Sequence, residues 1–443
     1  MGQVTTEPTA SLAQRWPHGL LVTMLVAWGP LLRALMDKGW MQLGGLPLVG
    51  QWAQLQGVSD LVSAPALAGI GLGLTVLTAQ EDPHRHPALW FTATLLGWVC
   101  TAPLALAACF WPQAIGNALG LNRHEQAWIG PMAFSGWLSI LWGMLSSYWL
   151  GRHRQGRVLL LTLVTAAPGL VALISARGLT PTAGIERVVI TQWAIGIAGL
   201  LAWLTLWIRW MQQTPNAWAA MKQALGPVAR YLPAGFSVGL LTPLSVLAIR
   251  GSLAHQLDWD AAGTATALWR VSDWVLSGAS GVLYFHYLPR LSQSAQRGLL
   301  QAHLFKALRQ VWGPSVLALV GLWSMQSWLL PWLYDARLTV DPGVSALFWA
   351  GDGLRVLSAV FLFGLYAQQA SQTIAWGEWL SQPLLALLLG LGAAEALRWT
   401  GWAHLATYAV YASFNAVALH AHWQCQASRP SVMPRHGGTD DQS

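Results

Sequence analysis

Charged residues are scarce in this sequence. Only 9% of the 443 residues are Asp, Glu, Lys or Arg, whereas 54% are hydrophobic and the mean hydropathy is +0.44. An ordinary soluble domain carries about 25% charged residues. The composition therefore excludes a soluble globular protein and predicts a polytopic membrane protein.

Cysteine is also rare, and the common motifs of nucleotide, ester and peptide hydrolysis are missing. Cys100, Cys109 and Cys425 show neither metal-like spacing nor an even pairing, so we predict no disulfide framework and no metal site. The sequence holds no Walker loop, no G-x-S-x-G and no H-E-x-x-H. Its basic residues are dispersed singly between apolar runs, which disfavours nucleic-acid binding. We expect a protein that is not an enzyme and that uses no cofactor.

Long apolar runs are abundant. A helix needs about 20 mainly apolar residues to cross roughly 30 Å of hydrocarbon. Twelve runs meet this requirement, near 18–36, 46–78, 88–110, 128–150, 158–176, 188–208, 231–250, 263–288, 311–334, 343–368, 372–394 and 403–423. Many of the 29 tryptophans lie at their ends, where an amphipathic ring prefers the headgroup level. The sequence predicts an all-α membrane protein of about twelve transmembrane helices.

The distribution of basic residues predicts the orientation of these helices. Lys and Arg are more numerous in the loops on the side of the N-terminus, as in Arg152, Arg154 and Arg157 of one short loop. Cytoplasmic loops of membrane proteins carry such an excess. We expect a multi-pass protein of the bacterial inner membrane with both termini in the cytoplasm.

An internal repeat predicts two halves. Val58-Ser59-Asp60 in the second span recurs as Val271-Ser272-Asp273 in the eighth, and Pro30 in the first span corresponds at the same offset to Pro243 in the seventh. Each match links one helix to the sixth helix after it. We predict six-helix lobes at 1–208 and 231–425 around a central cavity, a cytoplasmic linker at 209–230 and a disordered tail at 426–443. The two prolines are predicted to kink their helices as hinges.

Eight ionisable residues fall inside predicted spans. Each would cost about 2.5–3.5 kcal/mol at the centre of a lipid-facing helix, so they must mostly face one another or water. They are Arg33, Asp60, Arg250, Arg270, Asp273, Asp352, Arg355 and Glu378. Helical spacing places several of them on polar stripes of the second, eighth and tenth spans. Three striped helices predict a hydrated cavity between the lobes.

Structural roles for these charges remain open at this point. Arg270 with Asp273, and Arg355 with Asp352, could form ion pairs within one helix. Asp60 would need a basic partner from another helix. Two further alternatives concern the ends of spans, where Arg33 and Arg250 could extend to the extracytoplasmic interface and Glu378 could lie near the cytoplasmic one.

The eighth span also carries a family resemblance. ALWRVSDWVLSGASGVLYFHYLPRLS resembles the corresponding segment of the oligosaccharide-lipid (Wzx-type) flippases, which form the polysaccharide-transporter branch of the multidrug/oligosaccharidyl-lipid/polysaccharide (MOP) superfamily. The matching residues are Trp269, Arg270, Ser272, Asp273, Tyr287, Leu288, Pro289, Leu291 and Ser292. Segments 46–70, 228–253 and 349–370 are similar to the family's second, seventh and tenth helices, and Glu378 falls where its eleventh helix tends to be acidic.

The resemblance implies a function. Such proteins move undecaprenyl-pyrophosphate-linked oligosaccharide from the cytoplasmic to the periplasmic leaflet by alternating access, for O-antigen or enterobacterial common antigen-like polysaccharides of the cell surface, alongside a polymerase and chain-length proteins. The hypothesis assigns the headgroup to Arg33, Arg250, Arg270 and Arg355. It assigns coupling or charge tuning to Asp60, Asp273, Asp352 and Glu378. Arg355 stands where lysine is common in the family, and this departure leaves the glycan open.

Three other functions compete with this one. A cation-coupled multidrug antiporter of the same superfamily would favour an acidic or aromatic cavity over four arginines. A lipid II flippase would usually have two further helices. An integral-membrane glycosyltransferase or acyltransferase would need an acidic residue or a histidine in an extracytoplasmic loop, for which Asp37, Asp258 and Asp260 are the candidates.

Overall fold

The chain folds into a bundle of long helices in the part that the structure describes. This structure is a computed structural model, and it describes residues 12–152, 154–176, 178–288, 290–291, 300–334, 338–391 and 396–427. The predicted disordered tail lies outside these residues from position 428 onward. Within them the chain is all-helical, as the sequence predicted.

The first helical element, Leu12–Pro65, comprises two helices. Gly45 interrupts it with φ 74° and ψ −167°, a conformation that glycine adopts without steric cost. We call the segment before it α1 (12–44). We call the segment after it α2; it runs from 46 to 65, passes through a π-helical turn at Ala66–Gly71 and ends with Leu72–Gln80. The first and second predicted spans thus form one hairpin with a single-glycine turn.

Ten further long helices follow in the described residues. They are α3 (His86–Phe110), α4 (Ile129–Gly151), α5 (Gln155–Ile174), α6 (Pro181–Gln213), α7 (Leu232–Gln256), α8 (Trp259–Val282), α9 (Gly313–Leu333), α10 (Pro342–Ala367), α11 (Ser371–Leu391) and α12 (Ala396–Ala427). Each predicted span corresponds to one of the twelve helices, and eight of the helical segments found among the described residues are long and apolar enough to cross a membrane by length and composition alone.

Several helices extend beyond the apolar run that predicted them, because hydropathy marks only the lipid-crossing part. α6 begins at Pro181, seven residues before its predicted span, since Thr180 caps it by accepting the Ala183 amide. The predicted linker contains the helix Ala217–Ala229. Its buried face packs against α3, where Thr92 donates to the carbonyl of Met221.

Buried apolar side chains form four clusters. Two are built almost wholly from residues before position 230, and two from residues after it. The helices that connect the two parts are α1 and α2 on one side and α7 and α8 on the other. These separate cores support the division into two six-helix lobes, which stays a prediction together with its boundaries.

The predicted hinges and the observed helix irregularities lie at different places. Pro30 and Pro243 lie in backbone that is helical, and within Leu12–Pro65 only Gly45 departs from helical angles. The π-helical turns of the described residues lie instead in α2, at Leu283–Tyr287 immediately after α8, and at Leu308–Trp312 immediately before α9. The first two belong to corresponding helices of the predicted repeat. Such turns often mark functional sites within helices.

Candidate transport cavity

Most of the predicted charged residues come together between α1, α2, α8 and α10. The Arg355–Asp352 pair is one that the sequence offered, and the pairs between helices are ones that it did not show. In the part of the chain that the structure describes, ion pairs join Arg270 to Asp37 and Arg355 to both Asp273 and Asp352. The charges are therefore linked across helices and not only along them.

Arg270 pairs across the interface between the two parts of the bundle. Its Nε lies 3.3 Å from Asp37 Oδ2, and its Nη2 donates to Gln56 Oε1 at 2.7 Å. The predicted alternative of an Arg270–Asp273 pair along α8 is wrong, because the arginine side chain reaches α1 and α2 instead. Arg270 and Asp37 are only 11% and 2% exposed. The pair is therefore a buried contact.

Arg355 occupies a looser position. Its Nη1 lies 3.9 Å from Asp273 Oδ1 on α8 and 4.0 Å from Asp352 Oδ1 on its own helix. Both distances exceed hydrogen-bond length. The guanidinium lies over the ring of Tyr408 at 5.5 Å. Arg355 and Asp273 are 32% and 31% exposed, so this part of the site is open.

Asp60 and Arg33 complete the open part. Both side chains are exposed although each lies within a long helix. Among the cations that act on Asp60, Arg33 has the largest electrostatic effect, followed by Arg270 and Arg250. Asp60 thus has its basic neighbours on other helices, as a structural role for it required. A solvent-accessible carboxylate on which three arginines act indicates a polar cavity.

Arg250 holds α7 against α2. It is buried, and its Nη1 donates to the carbonyl of Ala53 at 3.0 Å. Its guanidinium also lies 5.9 Å from the ring centroid of Trp269. The neighbouring Gln54 on α2 donates in return to the carbonyl of Leu247 at 2.9 Å. Extension of Arg250 to the membrane interface is therefore wrong, because its polar end is fixed between helices.

Glu378 belongs to a separate polar cluster of α7, α11 and α12. It accepts hydrogen bonds from the Tyr411 hydroxyl, from Gln382 Nε2 at 3.3 Å and from Thr242 Oγ1 at 3.5 Å. Its exposure is 3%. The side chain is therefore buried between helices, and its position near the cytoplasmic interface stays a prediction. Glu378 ties α11 to α7 and α12.

The polar face of α12 was missed in the sequence. His404, Tyr408, Tyr411 and Asn415 follow each other at intervals of four, three and four, which places them on one side of a helix. His404 contacts Asp352, and Asn415 Nδ2 donates to Ser358 Oγ on α10 at 2.9 Å. The same spacing rule that identified the stripe of α8 would have found these residues.

The three acidic candidates for an extracytoplasmic enzyme site lie in helices or at a helix end, and not in the middle of a loop. Asp37 lies within α1 and is buried against Arg270. Asp258 caps α8 by accepting the Ala261 amide at 2.7 Å, and Asp260 lies in the first turn of that helix. Capping of this kind is a structural role.

Comparison with solved structures identifies the fold. No protein-family model and no curated protein matches the sequence. Solved structures do match. An inward-facing multidrug resistance MATE family transporter of the MOP superfamily superposes with a TM-score of 0.67 at 12% identity, over 91% of this chain and 96% of the other. The chain has the MOP transporter fold.

Two further solved structures agree with this assignment. A MATE transporter of Vibrio cholerae matches with a TM-score of 0.64 at 16% identity, covering 91% of this chain and 98% of the other. A MOP superfamily transporter of Pyrococcus furiosus matches with a TM-score of 0.62 at 10% identity, covering 91% and 95%. The prediction of about twelve membrane helices in the MOP fold is confirmed. At these identities the likeness extends to the fold alone.

Proposed function

We propose that this protein is a flippase that moves undecaprenyl-pyrophosphate-linked oligosaccharide from the cytoplasmic to the periplasmic leaflet of the inner membrane by alternating access. The observation that carries the proposal is that the side chains of Arg33 and Arg355 are available to a ligand. Both are accessible, and neither side chain makes a hydrogen bond within the described part of the chain. A guanidinium has five donors that match phosphate oxygens in pairs.

The loose ion pairs of Arg355 suit a ligand that binds and leaves. Its two carboxylates stand at 3.9 and 4.0 Å, whereas charge-assisted hydrogen bonds to phosphate have lengths of about 2.7–2.9 Å. A pyrophosphate group can therefore make closer contacts than the resident carboxylates do. Arg270 and Arg250 serve differently, because both are committed to protein partners. In this proposal they shape the wall of the cavity, and Arg33 and Arg355 bind.

The resemblance of the eighth span to oligosaccharide-lipid flippases supports the same substrate. A transporter of the same fold from Pyrococcus furiosus has a binding pocket of reverse polarity, which suggests a different function for that protein. We extend to this chain only the principle that the MOP fold can carry pockets of either sign.

Replacing Arg355 by glutamine tests the proposal. We expect Arg355→Gln to lower the rate of flipping at least about tenfold, because one lost charge-assisted contact is worth about 1.5–3 kcal/mol. The measurement is flipping of the lipid-linked oligosaccharide in reconstituted vesicles at equal protein content. The control is Arg209→Gln, which neutralises an exposed arginine of α6. A normal rate in Arg355→Gln would exclude the arginine from headgroup binding.

A second candidate is a cation-coupled multidrug antiporter. The observation that favours it is that Asp60 and Asp273, like the two arginines, are accessible and accept no hydrogen bond in the described residues. An open carboxylate suits an organic cation or a coupling proton. The structures that match this fold include multidrug transporters.

Replacing Asp60 by asparagine separates the two candidates. For a flippase we expect the wild-type protein to export no cationic dye, and Asp60→Asn to slow lipid flipping through the lost charge balance with Arg33. For an antiporter, the wild-type protein would export the dye, Asp60→Asn would abolish export, and Arg355→Gln would leave it unchanged. Dye efflux from energised cells, measured beside the flipping assay, distinguishes the two patterns.

A further inference from the structure

His404 forms an ion-pair contact with a buried carboxylate. Its Nε2 lies 3.0 Å from Asp352 Oδ1, and both side chains are buried. The imidazole stacks on Phe348 at 5.8 Å and meets Tyr408 edge-on at 4.8 Å. A Cβ on Gly351 would lie 2.4 Å from the ring, so glycine leaves the space that this close contact needs.

Asp352 stands between two basic groups. Its Oδ1 is 3.0 Å from His404 and 4.0 Å from Arg355, and its Oδ2 has no hydrogen-bond partner in the described part of the chain. Arg355 in turn is shared with Asp273, at 3.9 Å. The four groups form a series that leads from the buried side of α12 to the open part of the cavity. A histidine is the side chain that ordinarily changes charge between about pH 5 and 8. A change of charge on His404 would alter the attraction between Asp352 and Arg355.

We propose that His404 is a positioning residue for Arg355, and that its protonation releases Arg355 from Asp352 to bind an anionic group in the cavity. This inference rests on the proposed function, since it concerns the anion that Arg355 receives. When His404 is neutral, the full charge of Asp352 attracts Arg355. When His404 is protonated, Asp352 forms an ion pair with the imidazolium and attracts Arg355 less. The affinity of the cavity for an anion should therefore rise as the pH falls.

Other charged and titratable groups lie around this series of four residues. Asp273 on α8 competes for Arg355 in both states of His404, and Glu378 on α11 acts on Arg355 from a greater distance than either aspartate. Tyr408 lies beneath the guanidinium and beside the imidazole. Trp269 on α8 contributes only an aromatic surface, with its ring centroid 6.2 Å from that of His404.

A purely structural role for His404 makes a different prediction. A neutral imidazole could simply donate to Asp352 and tie α12 to α10, and glutamine could replace it as a donor. In that case His404→Gln would preserve both the fold and the pH dependence of anion binding. A role in positioning Arg355 requires titration, which glutamine cannot supply.

The test measures the binding of inorganic pyrophosphate to the full-length protein in nanodiscs at about pH 5.5 and about pH 8.5. The variants are His404→Gln and, as a matched control, His420→Gln, which changes an exposed histidine of the same helix. Because the ionisation of pyrophosphate at each pH is the same for the variant and the wild type, the ratio of the variant's Kd to the wild-type Kd at that pH isolates the protein's contribution. Elution profile and melting temperature report whether each variant is folded.

We expect the ratio for His404→Gln to rise about fivefold or more from the higher to the lower pH, within the usual range of coupling between two sites, while the ratio for His420→Gln stays constant. A ratio for His404→Gln that is independent of pH overturns this inference and leaves the proposed function standing. Absence of pyrophosphate binding to the wild-type protein at both pH values overturns the proposed function and this inference with it.

If His404→Gln fails to fold, Arg355→Gln replaces it. Without Arg355, only the wild-type protein should gain affinity as the pH falls, so the ratio for Arg355→Gln should rise towards lower pH as expected for His404→Gln. A ratio for Arg355→Gln that is independent of pH overturns the inference, because the proton would then act through another group.

Discussion

Replacing Arg270 by methionine should strongly destabilise the protein. The substitution leaves the Asp37 carboxylate, which is 2% exposed and lies 3.3 Å from the guanidinium, without its cation. Breaking a buried ion pair by removing one partner costs about 3–5 kcal/mol, because the remaining charge stays buried. The expected result is a clear fall in melting temperature and in the yield of monodisperse protein, measured in detergent at a fixed pH.

A double variant separates stability from transport. In Arg270→Met with Asp37→Leu, both charges are gone, and exchanging a buried ion pair for apolar groups is often neutral or stabilising. We expect the double variant to recover the wild-type melting temperature and to remain deficient in flipping, because Gln56 loses its donor and the polar wall of the cavity is interrupted. Wild-type flipping by the double variant would show that Arg270 only holds Asp37. Normal folding of the single variant would contradict the structural role.

The helices, and the polar face that Arg270 and Asp273 share on α8, could be predicted from the sequence, because both are local properties. The apolar runs located all twelve helices, and the spacing of Arg270 and Asp273 placed them on a polar face of α8. The partners could not be predicted, because an arginine side chain is long enough to reach several helices and the choice depends on how those helices pack. Arg270 therefore contacts α1, and Asp273 contacts Arg355 on α10.

Asp37 illustrates a limit of hydropathy as a signal. The pair Asp37-Lys38 ended the first apolar run, so both residues were assigned to the loop that follows. In the structure α1 continues to residue 44, Asp37 is buried, and Lys38 donates to the carbonyl of Trp332 on α9. The sequence alone does not distinguish a charged residue that is paired inside the bundle from a charged residue that ends a span.

The close contact between α2 and α7 had a local signal of a different kind. Gly69 and Gly73 on α2, and Gly235 and Gly239 on α7, are each spaced by four residues. This spacing is typical of membrane helices whose backbones approach each other closely. The spacing shows that each helix can make such a contact. It does not show that the two glycine pairs face each other, which depends on the packing of the two parts of the chain.

Replacing Gly235 by alanine should slow transport strongly while the protein still folds. An added Cβ would lie 2.5 Å from the Cα of Gly69, and an atom on that backbone cannot move aside as a flexible side chain can. Alanine is otherwise the better helix former, so any loss reflects the contact and not the helix. We expect α2 and α7 to separate at this crossing and the flipping rate to fall at least about tenfold, on the basis of a steric cost of about 1–3 kcal/mol.

The matched control is Gly321→Ala on α9, where an added Cβ meets no atom within 4 Å. This variant should flip at the wild-type rate. The separation itself can be measured as faster maleimide labelling of a cysteine placed at position 75 in a background without the native cysteines. Thr75 lies at the same end of the interface, and its hydroxyl is 2.6 Å from that of Tyr284 on the π-helical turn that follows α8. Unchanged labelling and flipping in Gly235→Ala would show that the crossing tolerates alanine and takes no part in transport.

The reciprocal substitution decides whether the effect belongs to this one crossing. Gly69 lies within the π-helical turn of α2, and an added Cβ there would lie 2.4 Å from the Cα of Gly235. Gly69→Ala and Gly235→Ala therefore obstruct the same approach from its two sides. Because residues in direct contact are not expected to contribute independently, the double variant should flip no more slowly than the slower single variant. Two losses that multiply would instead assign the two glycines to separate steps of transport.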